Sequence, residues 1–468
     1  MVAETTKRNV GVTLKSTVRA LRHRNFRLFF TGQGISLIGT WMQRVALGWL
    51  VYQLTHSAFL LGIVAFSGQI PNLILAPFAG VVADRWNRHS QLLWTQSLAM
   101  LQAFALAFLV VTGLIRIWHI IALSVLLGAI NAFDTPIRQA FLVDMVEGRE
   151  DLGNAIALNS SMVNGARLLG PSAAGLLIGA VGEGACFLVN GISYLAVIGS
   201  LLLMRLRQEP EKPQKARVLH QLGEGIRYAS KSGPIRAILM MLALVSFMGM
   251  PYSALMPIFA KDILHGGAQA LGFLMGAAGV GALVGAAYLA SRRTVLGLGR
   301  MIPLAAVVFG VGLIGFSFSR VFAVSMALML LTGFGQMVQL AASNTLLQTI
   351  VDDDKRGRVM SLYAMSFMGM MPLGNLIAGA VAARIGAPWT VRLGGVVCIA
   401  GAAVFAGRLP ALRRLARPIY VSKGIIPEIV AGIQSATESS SVTSRPPGPS
   451  SGTSQPWPRR GSKWPGRT

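Results

Sequence analysis

The chain has 468 residues, of which 53% are hydrophobic and only 13% charged, and its formal net charge is +25. Soluble globular domains carry about 25% charged residues, so this composition excludes a soluble protein. Apolar runs of about 20 residues, the length that crosses a bilayer, recur along most of the chain. They predict a polytopic membrane protein.

Twelve apolar segments predict transmembrane helices, and the even number places both termini on one side of the membrane. The predicted helices of the first half cover residues 27–53, 58–82, 90–113, 118–146, 153–180 and 184–205. Those of the second half cover residues 235–261, 269–291, 300–318, 321–349, 358–384 and 388–407. The final stretch, from about residue 421 to 468, is rich in Ser, Pro, Gly and Arg and is expected to be disordered.

The lysines and arginines identify the side on which the termini lie. Basic residues cluster before the first helix, in the connection 206–234 and in the short loops on the same side, whereas the opposite loops hold single charges. By the positive-inside rule both termini are cytoplasmic, which predicts a multi-pass protein of the bacterial cell membrane. The positive charge is thus a topology signal with some attraction to lipid headgroups, and no nucleic-acid partner is expected.

Glycines reveal an internal repeat when the chain is shifted by 204 residues. The residues that coincide are Gly153 with Gly357, Gly165 with Gly369, Gly170 with Gly374, Gly175 with Gly379, and Gly182 with Gly386. The repeat predicts an all-α membrane protein with two pseudo-symmetric six-helix bundles. Its parts are a basic amino terminus (1–26), a first bundle (27–205), a linker (206–234), a second bundle (235–407) and a tail (408–468).

The loop after the second helix resembles a signature of the major facilitator superfamily. It contains Gly80, Asp84, Arg85 and Arg88, with Asn87 where the family has Gly. The segments around Asp134-Thr-Pro-Ile-Arg138, Arg167-Leu-Leu-Gly170-Pro171 and Arg356-Gly-Arg358 are similar to the enterobactin-exporter-like branch, described as transmembrane secretion effectors. The resemblance covers residues 20–410 and implies the two-bundle major facilitator fold, alternating access and export of small molecules.

Two further family motifs are present. The fifth helix resembles the antiporter motif of drug exporters through Gly165, Gly170, Pro171 and Gly175, although the glycine spacing differs. The resemblance implies that the loop motif is a cytoplasmic gate, in which Asp84 meets the end of the eleventh helix and Arg88 reaches Asp144. The alternative is that these loop charges only set the topology.

Ionisable groups inside predicted helices are costly and therefore mark candidate functional positions. Arg44 lies in the first helix, Asp134 and Arg138 in the fourth, and Arg167 in the fifth, and Asn131 precedes Asp134 by about one turn. Asp134 and Arg138 are spaced to pair on one helix face. Three readings stay open: proton exchange at Asp134, a fixed structural ion pair, or direct contact with substrate.

The excess of arginine in the first half suits an anionic substrate. Arg138 and Arg44 are favoured for this role because the resemblance implies that the first and fourth helices line the cavity. Alternatively, Arg44 or Arg167 faces interfacial water or binds backbone carbonyls. In the second half, the polar candidates for the substrate cavity are uncharged or aromatic, namely Gln336, Gln339, Ser343, Asn344 and Tyr252.

The sequence has no Gly-x-x-x-x-Gly-Lys-Ser/Thr phosphate loop, no paired metal-ligand spacing among its six histidines, and only two cysteines, both in apolar runs. We therefore expect no cofactor, no metal and no enzymatic activity. The favoured function is a monomeric secondary exporter of a siderophore-like or drug-like molecule, driven by proton antiport. Alternatives are a transport-inactive scaffold or sensor, and an importer or lipid transporter of the same fold.

Overall fold

The computed structural model describes residues 18–146, 149–205, 218–292 and 294–422, and these residues are almost entirely helical. The predicted tail from residue 423 onward and most of the predicted linker lie outside the described residues. Ten helical segments are long and apolar enough to cross a membrane. Two more long helices, Arg24–Thr55 and Arg149–Val181, are more polar and fall outside that set.

The amino-terminal half begins with a short 3-10 helix, Arg19–Arg22. Its helices are α1 (Arg24–Thr55), α2 (Ala58–Ser67), α3 (Ile70–Arg85), α4 (Arg88–Val111), α5 (Ile117–Asp144), α6 (Arg149–Val181) and α7 (Glu183–Leu202). The second predicted span is thus broken between α2 and α3, where Gly68 and Gln69 form a turn ahead of Pro71. Proline lacks a backbone N–H, so it is accommodated within the first turn of the new helix.

The carboxy-terminal half begins with α8 (Val218–Lys231). It continues through α9 (Gly233–Leu244), α10 (Tyr252–Ile258), α11 (Gly267–Ala290), α12 (Leu298–Phe318), α13 (Phe322–Ile350), α14 (Arg356–Ala364), α15 (Met370–Ile385) and α16 (Ala387–Ser422). The helical segments Gly233–Ile263 and Arg356–Ile385 are each interrupted by π-helical turns.

The structure contains helix at two places outside the predicted membrane spans. The connection 206–234 contains the amphipathic helix α8, whose Glu224 pairs with Arg358 at 2.8 Å and whose Tyr228 donates to Asp352 at 3.0 Å. It is too short and polar to be recognised by a search for spans. The last helix continues to Ser422 instead of ending near residue 407, and Leu415 packs over Gly233.

At three of the five glycine pairs, the two members have similar local environments in the structure. Gly182 and Gly386 both adopt positive φ, at +86° and +84°, immediately before a helix. Gly175 and Gly379 each approach a glycine of the opposite half, Gly272 and Gly62 respectively. Gly170 packs against α1 at Trp41, and Gly374 packs against the carbonyl of Phe247 in the corresponding helix of the second half.

The two halves meet along two close helix contacts. A Cβ added at Gly62 of α2 would lie 2.9 Å from the Cα of Gly379 in α15, and one added at Gly175 of α6 would lie 3.0 Å from the Cα of Gly272 in α11. Such close backbone approach requires glycine, and in lipid it replaces the hydrophobic driving force between helices. Both contacts lie towards the face that is opposite the amino terminus.

We call the face that carries Arg19 the proximal face and the opposite one the distal face. On the proximal face, the carboxylate of Asp151 at the start of α6 contacts the side chains of Arg19 at 2.5 Å, Arg22 at 2.6 Å and His23 at 2.9 Å. The hydrogen bond with His23 is the main cause that lowers the pKa of the Asp151 carboxyl, and the two arginine charges add to it against desolvation. This cluster fixes the amino terminus to the first half.

The carbonyl groups of one π-helical turn are packed against glycines. The sequence Ser-Phe-Met-Gly-Met occurs twice, at 246–250 and 366–370, and both copies overlap π-helical turns. The Ser246 hydroxyl donates to the carbonyl of Phe367, and Gly394 approaches the carbonyl of Met248 as Gly374 approaches that of Phe247. A π-helical turn disturbs the regular hydrogen bonds of the helix. Because Gly374 and Gly394 have no side chain, their helices can pack closely against the carbonyl groups of this turn.

We predict that Gly62→Ala weakens closure of the distal face. The new methyl group would stand 2.6 Å from the carbonyl oxygen of Asn375, and overpacking of this kind costs about 1–3 kcal/mol. A Ser172→Cys reporter in the α6–α11 contact, with Cys186 and Cys398 replaced by alanine, should then react several-fold faster with a membrane-impermeant maleimide added on the distal side.

Gly199→Ala is the matched control, because a Cβ there meets nothing within 4 Å. Equal labelling rates for the two alanine variants would show that the Gly62–Gly379 contact does not hold the distal face closed.

Candidate functional site

A pair of arginines shares one indole ring in the middle of the amino-terminal half. The Arg44 guanidinium carbon lies 4.5 Å from the centre of the Trp41 ring, and that of Arg167 lies 5.9 Å from it. Both distances are within the range of cation–π attraction. Arg44 and Trp41 lie on α1, and Arg167 lies on α6, so the indole connects the two helices.

Gly170 is the reason that these helices come so close. A Cβ at this position would stand 2.4 Å from the Cβ of Trp41, which leaves room only for glycine. Arg167 precedes Gly170 by about one helical turn on α6, so the contact places its guanidinium beside the indole. The Gly170 of the predicted helix-five motif thus positions the arginine pair. Gly175 packs against Gly272, and a Cβ added at Gly165 would meet no other helix within 4 Å.

Residues of the carboxy-terminal half complete the cluster. The Oε1 atom of Gln336 on α13 accepts a hydrogen bond from Nη2 of Arg167 at 3.5 Å. The Nε2 atom of the same glutamine points at the sulfur of Met250, 3.0 Å away. We call Trp41, Arg44, Arg167 and Gln336 the central cluster, because they bring both halves of the chain together.

The central cluster lies near mid-depth. With a helical rise of about 1.5 Å per residue, Arg44 is about 16 Å, and Arg167 and Gln336 about 21 Å, from the distal ends of their helices. The hydrocarbon core of a bilayer is about 30 Å thick. Arg44 is nevertheless exposed, and Arg167 is partly exposed, so both reach space between the helices.

Asp134 has a different environment from these arginines. Its carboxylate accepts hydrogen bonds from Gln96 Nε2 at 2.6 Å and Thr95 Oγ1 at 3.0 Å, and it pairs with Arg138 at 3.3 Å. The side chain is 5% exposed. These contacts are made with α4 and within α5, inside the amino-terminal half, and Asn131 stands half-buried about one turn before the aspartate.

Arg138 therefore pairs with Asp134, while the arginine that joins Arg44 at the central cluster is Arg167. The polar interior of this half continues distally, where Asn190 donates to Gln43 at 2.7 Å and Gln43 donates to Gln102 at 3.0 Å. This network satisfies polar groups that have no access to water.

Of the remaining candidates in the second half, Gln339 and Ser343 are fully buried on α13, on the helix that carries Gln336. Asn344 accepts a hydrogen bond from Gln348 at 2.5 Å, and Tyr252 packs edge-on against Phe309 with ring centres 6.2 Å apart. The structure thus brings only Gln336 of the five predicted cavity residues into contact with an arginine of the first half.

The predicted gate motif is described only in part, because the side chains of Gly80, Asp84 and Arg85 lie outside the described residues. Arg88 donates to both carboxylate oxygens of Asp144 at 3.3 Å. This contact joins the start of α4 to the end of α5 on the proximal face, within one half of the chain.

Two contacts that sequence reasoning missed cross between the halves on the distal face. The Tyr52 hydroxyl donates to the Asp262 carboxylate, and the Lys261 ammonium donates to Gln53 Oε1 at 2.5 Å. They join the end of α1 to a π-helical turn, Phe259–Ile263. No local pattern encodes a pairing between residues so distant in the chain. Sequence reasoning also missed Trp41, although its position about one helical turn before Arg44 indicates that the two side chains share a helix face.

A family model described as transmembrane secretion effector matches residues 15–420 of the chain. The chain belongs to this family of major facilitator transporters. It is 28% identical over 377 residues to the staphyloferrin A transporter of Staphylococcus aureus, with 80% of this chain and 94% of the relative covered. It is 23% identical to macrolide efflux protein A of Streptococcus pyogenes, with 81% and 96% covered.

Solved structures show the same fold. A bacterial homologue of the iron transporter ferroportin in an inward-facing state superimposes with a TM-score of 0.64 at 16% sequence identity. The alignment covers 82% of this chain and 98% of that one. The chain is thus a multi-pass transporter with the major facilitator architecture, and the earlier resemblance is confirmed.

We predict that Arg138→Gln destabilises the protein by about 3 kcal/mol, the low end of the cost of breaking a buried ion pair. Asp134 keeps two neutral hydrogen-bond donors but loses its counter-charge. The double variant Asp134→Asn/Arg138→Gln should recover most of the lost stability, as measured by thermal unfolding in detergent. Arg320→Gln, at an exposed loop position, is the control; a single variant as stable as this control would show that the pair carries no stability.

Proposed function

We propose that this protein exports a siderophore-like or drug-like small molecule across the cytoplasmic membrane by alternating access. One observation carries the proposal: a cationic cluster at mid-depth, in contact with both halves, lies below an interface that is held together on the distal side. The distal contacts are the glycine pairs and the hydrogen bonds of Tyr52 and Lys261. On the proximal face, the ion pairs Arg19–Asp151, Arg88–Asp144 and Glu224–Arg358 and the hydrogen bond from Tyr228 to Asp352 each join two residues of the same half.

The proposed architecture is twelve membrane spans in two six-helix bundles, at about residues 27–205 and 235–407. The ten apolar segments supply most of the spans, and Arg24–Thr55 and Arg149–Val181 supply the other two. Both helices are rich in charged and amide side chains, and Arg44 and Arg167 are among them. Their length is sufficient for a bilayer in both cases.

The proposed orientation places the proximal face in the cytoplasm. Basic residues concentrate there, for example Arg19, Arg22 and Arg88, as the positive-inside rule requires. The arrangement of the helices is then the inward-open one, with the central cluster accessible from the cytoplasm. A transporter that loads its substrate from the cytoplasm is suited to export, and the relatives named above include an efflux protein.

The proposed energy source is proton antiport, with Asp134 as the proton-binding group. Asp134 is the one carboxylate of the sequence placed in the middle of a span, and its partner Arg138 is 24% exposed, which offers a path for water to the pair. Protonation of Asp134 would release Arg138 and loosen α4 from α5. Such a change at one helix pair can shift an equilibrium between two conformations.

The test uses inside-out membrane vesicles and a substrate found by untargeted comparison of the metabolites released by cells with and without the protein. An acidic lumen should drive accumulation of this substrate by the wild-type protein. Asp134→Asn should abolish the response to the pH gradient while the protein stays folded and inserted, because an amide cannot bind the proton.

Glu183→Gln, which removes a carboxylate at the distal end of α7, is the control and should transport normally. Retained coupling in Asp134→Asn would contradict the proton role and leave the Asp134–Arg138 pair a structural one. Loss of solute from the lumen would indicate uptake instead of export, and no movement of any solute would favour a scaffold.

A further inference from the structure

The central cluster holds two positive charges that lack a compensating negative charge within the described part of the chain. Arg44 and Arg167 both approach Trp41, and neither has a carboxylate within ion-pairing distance among the described residues. Their guanidinium carbons can be no farther apart than the sum of their distances to the indole centre. Two like charges held this close at mid-depth are costly unless a ligand or water compensates them.

The nearest candidate for compensation in the sequence is already engaged. Asp134 forms its ion pair with Arg138 and takes two further donors, from Thr95 and Gln96, inside the amino-terminal half. The neighbour that Arg167 does have is the neutral Oε1 of Gln336, at a long 3.5 Å. The guanidinium groups therefore retain most of their donor capacity, since each carries five N–H groups.

The chemistry of these donors selects the ligand. A guanidinium group presents two parallel N–H donors that match the two oxygens of a carboxylate, and this charge-assisted arrangement is about twice as strong as a neutral hydrogen bond. Two arginines on different helices match two carboxylates on one small molecule. Cation–π attraction to the Trp41 indole holds both guanidinium groups near one ring, with their carbons 4.5 and 5.9 Å from its centre.

We propose that the central cluster is the binding site for an oligocarboxylate anion, with Arg44 and Arg167 each holding one carboxylate. This proposal rests on the proposed export function and defines the substrate class of the same site. Arg44, the more exposed of the two, receives the anion first from the open side, and Arg167 with Gln336 connects it to the carboxy-terminal half. Binding would thus tie the two halves together at mid-depth.

The first test measures binding alone, with the purified full chain in nanodiscs and citrate as the probe. Trimethyl citrate has the same skeleton without charge, and inorganic phosphate tests the alternative anion. Citrate should raise the thermal stability of the wild-type protein in a saturable way, whereas trimethyl citrate should not. Absence of citrate binding, or equal binding of the ester, would overturn the proposal, and phosphate binding tighter than citrate would reassign the site to phosphoryl groups.

Variants locate the site. Arg44→Gln and Arg167→Gln should each weaken citrate binding by about ten-fold or more, the effect of removing one charge-assisted contact. Arg44→Lys should fall between Arg44→Gln and the wild type, because lysine keeps the charge but loses the planar pair of donors. Arg320→Gln removes the same charge from an exposed loop and should bind citrate normally; wild-type affinity in both central glutamine variants would overturn the assignment.

Transport separates this proposal from the export function itself. Suppose that the pH gradient drives accumulation of a substrate in the vesicles, and that Arg44→Gln and Arg167→Gln transport it as the wild type does. The export function is then supported and the carboxylate site is refuted. If citrate binds as expected and no solute is exported, the site stands as a binding site and the export function fails.

Discussion

The close backbone contact between glycines on the distal side is the constraint on which the arrangement of this protein depends. Gly62 faces Gly379, and Gly175 faces Gly272, each at a separation that a methyl group would prevent. Helices in lipid gain little from burying apolar surface against each other, so such contacts supply much of the attraction between the halves. Both contacts lie in the distal portion of the helices and hold that side of the interface together.

The two contacts involve glycines that coincide when the sequence is shifted by 204 residues. Gly175 and Gly379 occupy equivalent positions, and each meets a glycine of the opposite half. A pseudo-symmetric protein that closes one side with a pair of equivalent contacts can exchange them for a pair on the other side with small rotations of each half. This is the physical basis of alternating access in transporters built from repeats.

The two halves of the chain differ in the charges that their helices carry. The interior of the first half contains the Asp134–Arg138 ion pair and a chain of hydrogen-bonded amides, Asn190, Gln43 and Gln102. At an offset of 204 residues, the positions of Asp134 and Arg138 are occupied by Val338 and Ala342 in the second half. A satisfied buried pair fixes helices in place. Among the described residues, Arg44 and Arg167 have no carboxylate within ion-pairing distance, and this difference from the Asp134–Arg138 pair is why we propose them as a binding site.

Hydropathy and glycine spacing were enough to predict the membrane class, the approximate helices and the repeat, because the length of a span and the close packing of helices are local properties of the sequence. The motif around Gly80 and Asp84 was enough to suggest the family. The same reasoning missed the amphipathic helix Val218–Lys231, whose short and polar sequence satisfies no spanning criterion. It also ended the last helix too early, since the basic residues beyond 407 resemble a loop.

The tertiary structure alone decided how the charged residues are grouped. In the sequence, Arg44, Asp134, Arg138 and Arg167 are four comparable charges within apolar segments, and Asp134 with Arg138 is the only pair that their spacing defines. That Arg167 joins Arg44 at Trp41, and that Tyr52 meets Asp262, depends on which helix faces pack together. The sequence by itself determined the helices and their repeat, whereas contacts between helices distant in the chain, set by glycine packing in three dimensions, determined the site.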